Sequence, residues 1–191
     1  MGNHYEKKLL KEMWFKMNLA REFENRVQWL FSMGLVHGTT HLGVGEEATA
    51  VGSILALQPQ DYVFGTHRGH SQAISKGIDI NHMMAEILAK ANGVCKGKGG
   101  SMHIADPDIH YFGADGILGT SAVMCCGTAL KIKKKKEENR RLNSDKVLFS
   151  FARGRERCDR NGHAVFLRPG VDFATTGSEI TGISTSSTKL K

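Results

Sequence analysis

Gly93-Val94-Cys95-Lys96-Gly97-Lys98-Gly99-Gly100-Ser101-Met102-His103, followed further on by Gly113-Ala114-Asp115-Gly116-Ile117-Leu118-Gly119, is the stretch on which the reading of this chain turns. Glycine at this density lifts the steric bar on positive φ and lets backbone approach a ligand closely. Successive exposed N–H groups can then face anionic oxygens. Pattern alone leaves two readings open, a ligand-holding loop and a merely irregular one. A P-loop is excluded, because no Gly-Lys-Ser/Thr follows at the required spacing. A dinucleotide fingerprint is excluded because no strand leads into the stretch. Residues 93–120 carry few periodic apolar side chains, and ordered loops of such length are usually functional.

Regular structure is expected on both sides. Leu9, Leu10, Met13, Trp14, Met17, Ala20, Phe23, Val27, Leu30 and Phe31 recur mostly at three- and four-residue spacing, which predicts a long amphipathic helix over 5–33 closed by Gly34. A second helix is expected from about Glu46 to Leu57, with Pro59 beyond its end. Residues 61–65 read as a short strand, and 66–75 as a loop entering a helix. Asn81 is the expected N-cap of a further helix, with Met84, Ile87 and Leu88 on its buried face and Gly93 as its stop. A helix over about 118–141 and a short apolar strand over 146–151 complete the periodic part. Residues 152–172 show no clean period, and 174–191 are dominated by Thr, Ser and Gly, a composition that predicts disorder.

The bulk properties narrow the class. The chain has 191 residues, enough for one ordinary domain. Its formal charge is +7, and residues 131–157 carry the whole excess, with 11 Lys+Arg against 4 Asp+Glu; residues 1–130 carry 11 against 12. A balanced chain with one basic run suggests a solvated helix end. Nucleic-acid binding is disfavoured, since no aromatic residues are interleaved for stacking. Cys95, Cys125, Cys126 and Cys158 form no C-x-x-C pair, so a disulfide framework or zinc site is not expected, and a reducing, cytoplasmic setting is. The first ten residues are charged and lack a signal core. No apolar run approaches the ~18 residues of a membrane span.

Two further clusters carry chemistry. In Thr66-His67-Arg68-Gly69-His70 an Arg between two imidazoles at a strand end suits a phosphate clamp, because guanidinium offers forked donors. A surface loop with incidental His is the other reading, and a metal is disfavoured because no acidic or Cys partner stands nearby. His41, in His41-Leu42-Gly43-Val44-Gly45-Glu46-Glu47-Ala48, either faces a cleft or is structural. Glu46 and Glu47 suit the positive end of the helix they begin.

Taken in order, His41-Leu42-x-x-Gly45-x-Glu47-Ala48, His67-Arg68-Gly69-His70, Lys96 to His103 and Gly116-Ile117-Leu118-Gly119 resemble the alpha subunit of thiamine-diphosphate-dependent dehydrogenases acting on pyruvate, branched-chain 2-oxo acids or acetoin. The resemblance covers roughly residues 10–151. It implies an α/β fold, a thiamine-diphosphate-binding domain with a mostly parallel sheet and a long N-terminal helix, incomplete at the C-terminus. The expected division is 1–151 for that half-domain and 152–191 for a non-family tail. By the same resemblance, His41 is the catalytic residue, near the substrate carbonyl, where imidazole stabilises developing charge. Arg68 lies on the cofactor diphosphate. His67 stands where many members have Tyr, and is a further cofactor contact. His70 joins His41 at the substrate. Gly116 and Leu118 contact the aminopyrimidine, with Leu118 propping the cofactor into its bent shape. Lys96–His103 becomes a structural loop near the subunit interface. The implied partners are a beta subunit, in an alpha2-beta2 heterotetramer that supplies the activating glutamate, and a lipoyl-bearing acyltransferase.

The chain departs from the family where the strand over 146–151 should lead into the Gly-Asp-Gly that holds Mg²⁺. Ala152-Arg153-Gly154-Arg155-Glu156 stands there instead, no Gly-Asp-Gly occurs in the chain, and arginines at this place would repel a Mg²⁺ that needs oxygen ligands, so no metal ligand is assigned. Two rival readings follow: an inactive remnant lacking the metal motif, and a non-enzymatic binding module using 131–157. Arg-Gly-Arg-Glu encoded AGG-GGA-CGG-GAR contains GGG-GAC-GGG one nucleotide on, which reads Gly-Asp-Gly. A frame shift just before Arg153 accounts for both the lost metal motif and the lost hydrophobic period. The codons of 153–156 are expected to show that overlap; sequencing that reveals any other codon set removes the explanation.

Overall fold

The computed structural model describes residues 6–117, 119–138, 148–152 and 163–167, the last two stretches through their backbone. The expected helix is α1, Lys7–Ser32. Its buried face is Ala20, Phe23, Glu24 and Val27, the three- and four-residue spacing of one helical stripe. Gly34 closes it at φ +71°, a backbone conformation that side chains disfavour. Its N–H reaches the Phe31 carbonyl at 3.0 Å while Leu35 N–H reaches that of Leu30 at 3.1 Å, the paired bonds of a left-handed C-cap. The N-terminal half departs from expectation. Leu10 and Trp14 remain 50% and 65% exposed, although neighbouring Met13 lies beside Gly52 and Lys16 donates to the Ser75 carbonyl.

Helix α2, Glu47–Leu55, and helix α3, His70–Lys76, pack on α1 and on each other. Helix α4, Ile80–Ile87, is capped by Asp79, whose Oδ1 accepts from Asn81 N–H at 2.8 Å and His82 N–H at 2.9 Å. This replaces Asn81 as the expected cap. An ionised carboxylate is the stronger acceptor, and from its place just before the helix it reaches the free N–H groups of the first turn. The helix also ends well before Gly93, in a turn where Ala89 takes φ +54°. Ile54, Val63, Ile74, Met83, Ile87 and Tyr111 form the centre of the core these helices share.

Strand β1, Tyr62–Phe64, is the spine of the fold. On one edge it pairs in parallel with β2, Leu148–Ala152, in the register Tyr62↔Leu148 to Phe64↔Ser150. On the other edge the chain around Tyr111 runs alongside it: Val63 N–H donates to His110 O at 2.9 Å, Phe112 N–H to Val63 O at 2.8 Å and Gly65 N–H to Gly113 O at 2.7 Å. Strand β3, His163–Leu167, pairs with β2 antiparallel. Of the two strand pairings among the described residues, one is parallel and one is not. No period in the sequence signalled β3, which falls within the segment read as irregular; residues 153–162 and 168–191 of that segment lie outside the described residues. Helix α5, Thr120–Glu138, contacts β1 and β2. A second apolar cluster of Phe64, Cys125 and Ile132 lies there, with Phe112 stacked on Phe64 at 5.7 Å. Among the described residues no helix is long and apolar enough to cross a membrane.

Burial sets the expected outcome of two substitutions. Met83→Ala, at a site with no exposure, is expected to lower the unfolding free energy by about 2–5 kcal/mol. Trp14→Ala, on the exposed side of α1, should change it by less than about 0.5 kcal/mol. Denaturant titrations followed by circular dichroism measure both; equal losses would place the core elsewhere.

Candidate functional site

The C-terminal end of β1 opens into the turn Gly65–Gly69 and then into α3, so Thr66, His67 and Arg68 are presented at a strand end. The loop from His37 to Glu46 folds onto this turn. Arg68 Nη1 donates to the Leu42 carbonyl, a close contact across the two loops. The rings of His41 and His67 meet edge to face at 4.8 Å. Three of the expected residues, His41, His67 and Arg68, are thus brought together, all half-buried. Thr40 Oγ1, Arg68 Nε and Ser71 Oγ are buried without a hydrogen-bond partner among the described residues. A buried polar atom left so costs about 1–3 kcal/mol unless something fills it. The cluster therefore has donors to spare, which is what an anion needs.

His70, one turn further on, is placed differently from the expectation of substrate contact. It has no exposure. Its Nδ1 lies 2.9 Å from Glu24 Oε2, and its Nε2 lies 2.9 Å from Ser101 Oγ and 3.2 Å from Ser101 O. Phe23 covers the ring edge to face at 5.9 Å. Both ring nitrogens are within hydrogen-bond reach of protein groups, and His70 faces the interior of this chain. Gly116 sits in an exposed turn where a methyl group would meet Met102 Cε at 3.8 Å and His103 Cε1 at 3.9 Å. Its link to Arg68 runs through Met102, Ser101 and His70. Leu118 lies outside the described residues.

The glycine-dense loop receives an anion, but the anion belongs to the chain itself. Glu86, on α4 and without exposure, points its carboxylate into the loop. Oε2 accepts from Cys95 N–H and Gly97 N–H, each at 2.8 Å, and Oε1 accepts from Gly99 N–H at 2.7 Å and Gly100 N–H at 3.2 Å. The ligand-holding reading of these amides is corrected: their donors are already used. Gly97 is required twice over, by φ +74° and because a Cβ there would lie 2.7 Å from the Lys90 carbonyl oxygen. Burial works to raise the Glu86 carboxyl, but the four backbone donors outweigh it, and the group lies below its ordinary value.

Glu47 is a second buried carboxylate. It takes Arg21 side-on, with Nε at 2.6 Å and Nη2 at 2.9 Å, and accepts from Gly45 N–H at 3.0 Å. Burial again works upward on its titration, and the Arg21 guanidinium together with the backbone N–H groups of Glu47 and Gly45 outweighs it, leaving the carboxyl lowered. Sequence reasoning gave Glu47 only a dipole role and missed Glu24 and Glu86. The available signal was their phase, since Glu24 falls in the stripe Ala20, Phe23, Val27 and Glu86 follows Met83 at helical spacing. Among the described residues no group of three or more His, Cys, Asp or Glu is gathered to hold a metal. Residues 153–157, where the missing metal motif would stand, lie outside the described residues.

Residues 15–143 match the family model described as dehydrogenase E1 component. The alpha subunit of acetoin:2,6-dichlorophenolindophenol oxidoreductase from Bacillus subtilis (strain 168) is 50% identical over 131 residues, which are 68% of this chain and 39% of that protein. The protein of the same name from Cupriavidus necator is 46% identical over 128 residues, 67% of this chain and 38% of its own length. The pyruvate dehydrogenase E1 component subunit alpha of Zymomonas mobilis is 39% identical over 131 residues, 68% of this chain and 37% of that subunit. The chain thus spans less than two fifths of the length of these relatives.

Glu86 makes a pH-dependent contribution of known sign. A carboxyl lowered in the folded state stabilises the fold above its unfolded value of about 4.3, and that stabilisation is lost as pH falls through the folded value. Glu86→Gln is therefore expected to destabilise the chain by about 1–3 kcal/mol at neutral pH. The gap to wild type should narrow progressively below pH of about 4.3. Urea midpoints across that range read it; a gap independent of pH would show that the charge on Glu86 does not matter.

Proposed function

The chain belongs to the alpha-subunit branch of the dehydrogenase E1 component family, and on that premise we propose that it supplies one half of a thiamine-diphosphate site completed by a beta subunit. The observation that carries the reading is Arg68, whose Nε is buried without a partner among the described residues while its Nη1 is held on the Leu42 carbonyl. A guanidinium fixed at one nitrogen and open at another is oriented in advance for a diphosphate oxygen. His67 stands beside it as a second donor. The edge-to-face contact of His67 with His41 fixes the ring of His41, which in this reading faces the substrate oxygen and stabilises charge developing there. His70 belongs to the support of the site. Gly116 and Leu118 are assigned to the aminopyrimidine through the family likeness.

Bound thiamine diphosphate supplies the carbon nucleophile and electron sink for the reaction. The residues of this chain bind and orient it and polarise the substrate. The relatives' names divide between acetoin and pyruvate, which share a carbonyl next to a second oxygenated carbon. The proposed activity is accordingly oxidative decarboxylation of a 2-oxo acid, or acetoin cleavage, with acyl transfer to a lipoyl domain, in an alpha2-beta2 assembly in the cytoplasm. The family's Mg²⁺ is not assigned, because Arg153-Gly154-Arg155 offers no oxygen side chain for it.

The absence of Gly-Asp-Gly from the sequence also favours the second reading, an inactive remnant. Titration of the chain with thiamine diphosphate in the presence of an E1 beta subunit separates the two. Saturable binding weakened about 10- to 100-fold by Arg68→Gln, as loss of a charge-assisted hydrogen bond implies, is the expected result. Binding that is absent, or indifferent to Arg68, leaves the remnant.

A further inference from the structure

We infer that Glu24 is the positioning residue of this half-site: its buried carboxylate sets the His41 loop and the Arg68 turn in register with the loop under Gly116. The functional part of this inference rests on the cofactor reading above; the structural part does not.

Of the four sequence blocks that mark the site, two meet directly at one side chain, a third joins them through His70, and the fourth borders the third. Glu24 has no exposure. Its Oε1 accepts from Gly43 N–H at 3.0 Å, two residues after His41. Its Oε2 lies 2.9 Å from His70 Nδ1, two residues after Arg68. His70 Nε2 lies 2.9 Å from Ser101 Oγ. Met102 and His103 follow Ser101, and both border Gly116. Removing the carboxylate would break the first and second links at their common point.

In a neutral His70 ring the Glu24 carboxylate selects the tautomer. A carboxylate only accepts, so Nδ1 carries the hydrogen and donates to Oε2. Nε2 is then an acceptor, and Ser101 Oγ–H is within reach to donate to it. The Ser101 carbonyl, 3.2 Å from the same nitrogen, becomes useful only if Nε2 carries hydrogen. Glu24→Gln invites that exchange. The amide oxygen still accepts from Gly43 N–H, the amide nitrogen donates to Nδ1, and the displaced ring hydrogen moves to Nε2 and onto the Ser101 carbonyl. Both bonds made by residue 24 keep a partner, and Ser101 exchanges a hydroxyl-to-ring bond for a ring-to-carbonyl one, so Gln should preserve the shape that Glu sets. Leu, of similar size, keeps none of them.

The test uses the whole 191-residue chain in three forms: wild type, Glu24→Gln and Glu24→Leu. Nitrogen-15 spectra of the His70 ring should show hydrogen on Nδ1 in wild type and on Nε2 in Glu24→Gln. Exchange protection of the Gly43 amide should hold in Glu24→Gln and fall about tenfold in Glu24→Leu, as loss of one hydrogen bond implies. An unmoved ring hydrogen, loss of fold in Glu24→Gln, or unchanged Gly43 protection in Glu24→Leu overturns the inference. With an E1 beta subunit present, thiamine diphosphate affinity should fall about tenfold in Glu24→Leu, the size typical of outer-shell partners, and be rescued by Gln. A switched ring hydrogen together with no thiamine diphosphate binding even in wild type overturns the cofactor reading and supports the arrangement around Glu24. Full thiamine diphosphate affinity in Glu24→Leu overturns its positioning role.

Discussion

An ionised carboxylate taken out of water must have its oxygens filled by donors, or the fold gives up several kcal/mol per charge. Glu24, Glu47 and Glu86 are each nearly or fully buried, and each meets this demand by collecting donors from distant parts of the chain. Glu47 draws Arg21 of α1 to the start of α2. Glu24 draws together the Gly43 loop and the first residue of α3. Glu86 gathers the N–H groups of Cys95, Gly97, Gly99 and Gly100. Loops of this kind carry little apolar surface, so hydrophobic burial alone would leave them unspecified. Here their conformation is dictated by where the acceptors are.

This arrangement explains what could and could not be read in the sequence. Helices α1 and α2 were legible because burial imposes a period on apolar residues, and strands β1 and β2 because they are short runs rich in apolar residues. The cap of α4 was misplaced by two residues, because the sequence offers both Asp79 and Asn81 and only the structure shows which oxygen reaches the first turn. Leu10 and Trp14 fit the stripe of α1 by spacing, yet spacing says nothing about whether a neighbour covers that stretch. For the glycine-dense loop the ligand-holding reading rested on its donors and the irregular reading stood beside it; donors do not name their acceptor. Glu86 was passed over because a charge inside a helix is ordinarily solvated.

Of the residues expected at the site, the structure brings three together and turns a fourth away. His41, His67 and Arg68 cluster at the end of β1. His70, next to them in the chain, turns inward to Glu24 and Ser101. The change from outward to inward occurs at Gly69, where the turn passes into α3, and a one-dimensional motif does not record it. Tyr111 joins the interior side, donating to the Gly69 carbonyl at 3.3 Å in surroundings whose burial pushes its phenol upward.

Both tryptophans of the chain, Trp14 and Trp29, lie on α1, 65% and 50% exposed, and Arg26 rests 5.3 Å from the centre of the Trp29 ring. Intrinsic ultraviolet emission therefore samples the wet flank of one helix and is blind to the interior. Its wavelength would move to the blue on capture of that flank by another surface, and scarcely at all on rearrangement around Glu24. The molecule thus carries an optical label for association, separate from any label for the cluster around Arg68.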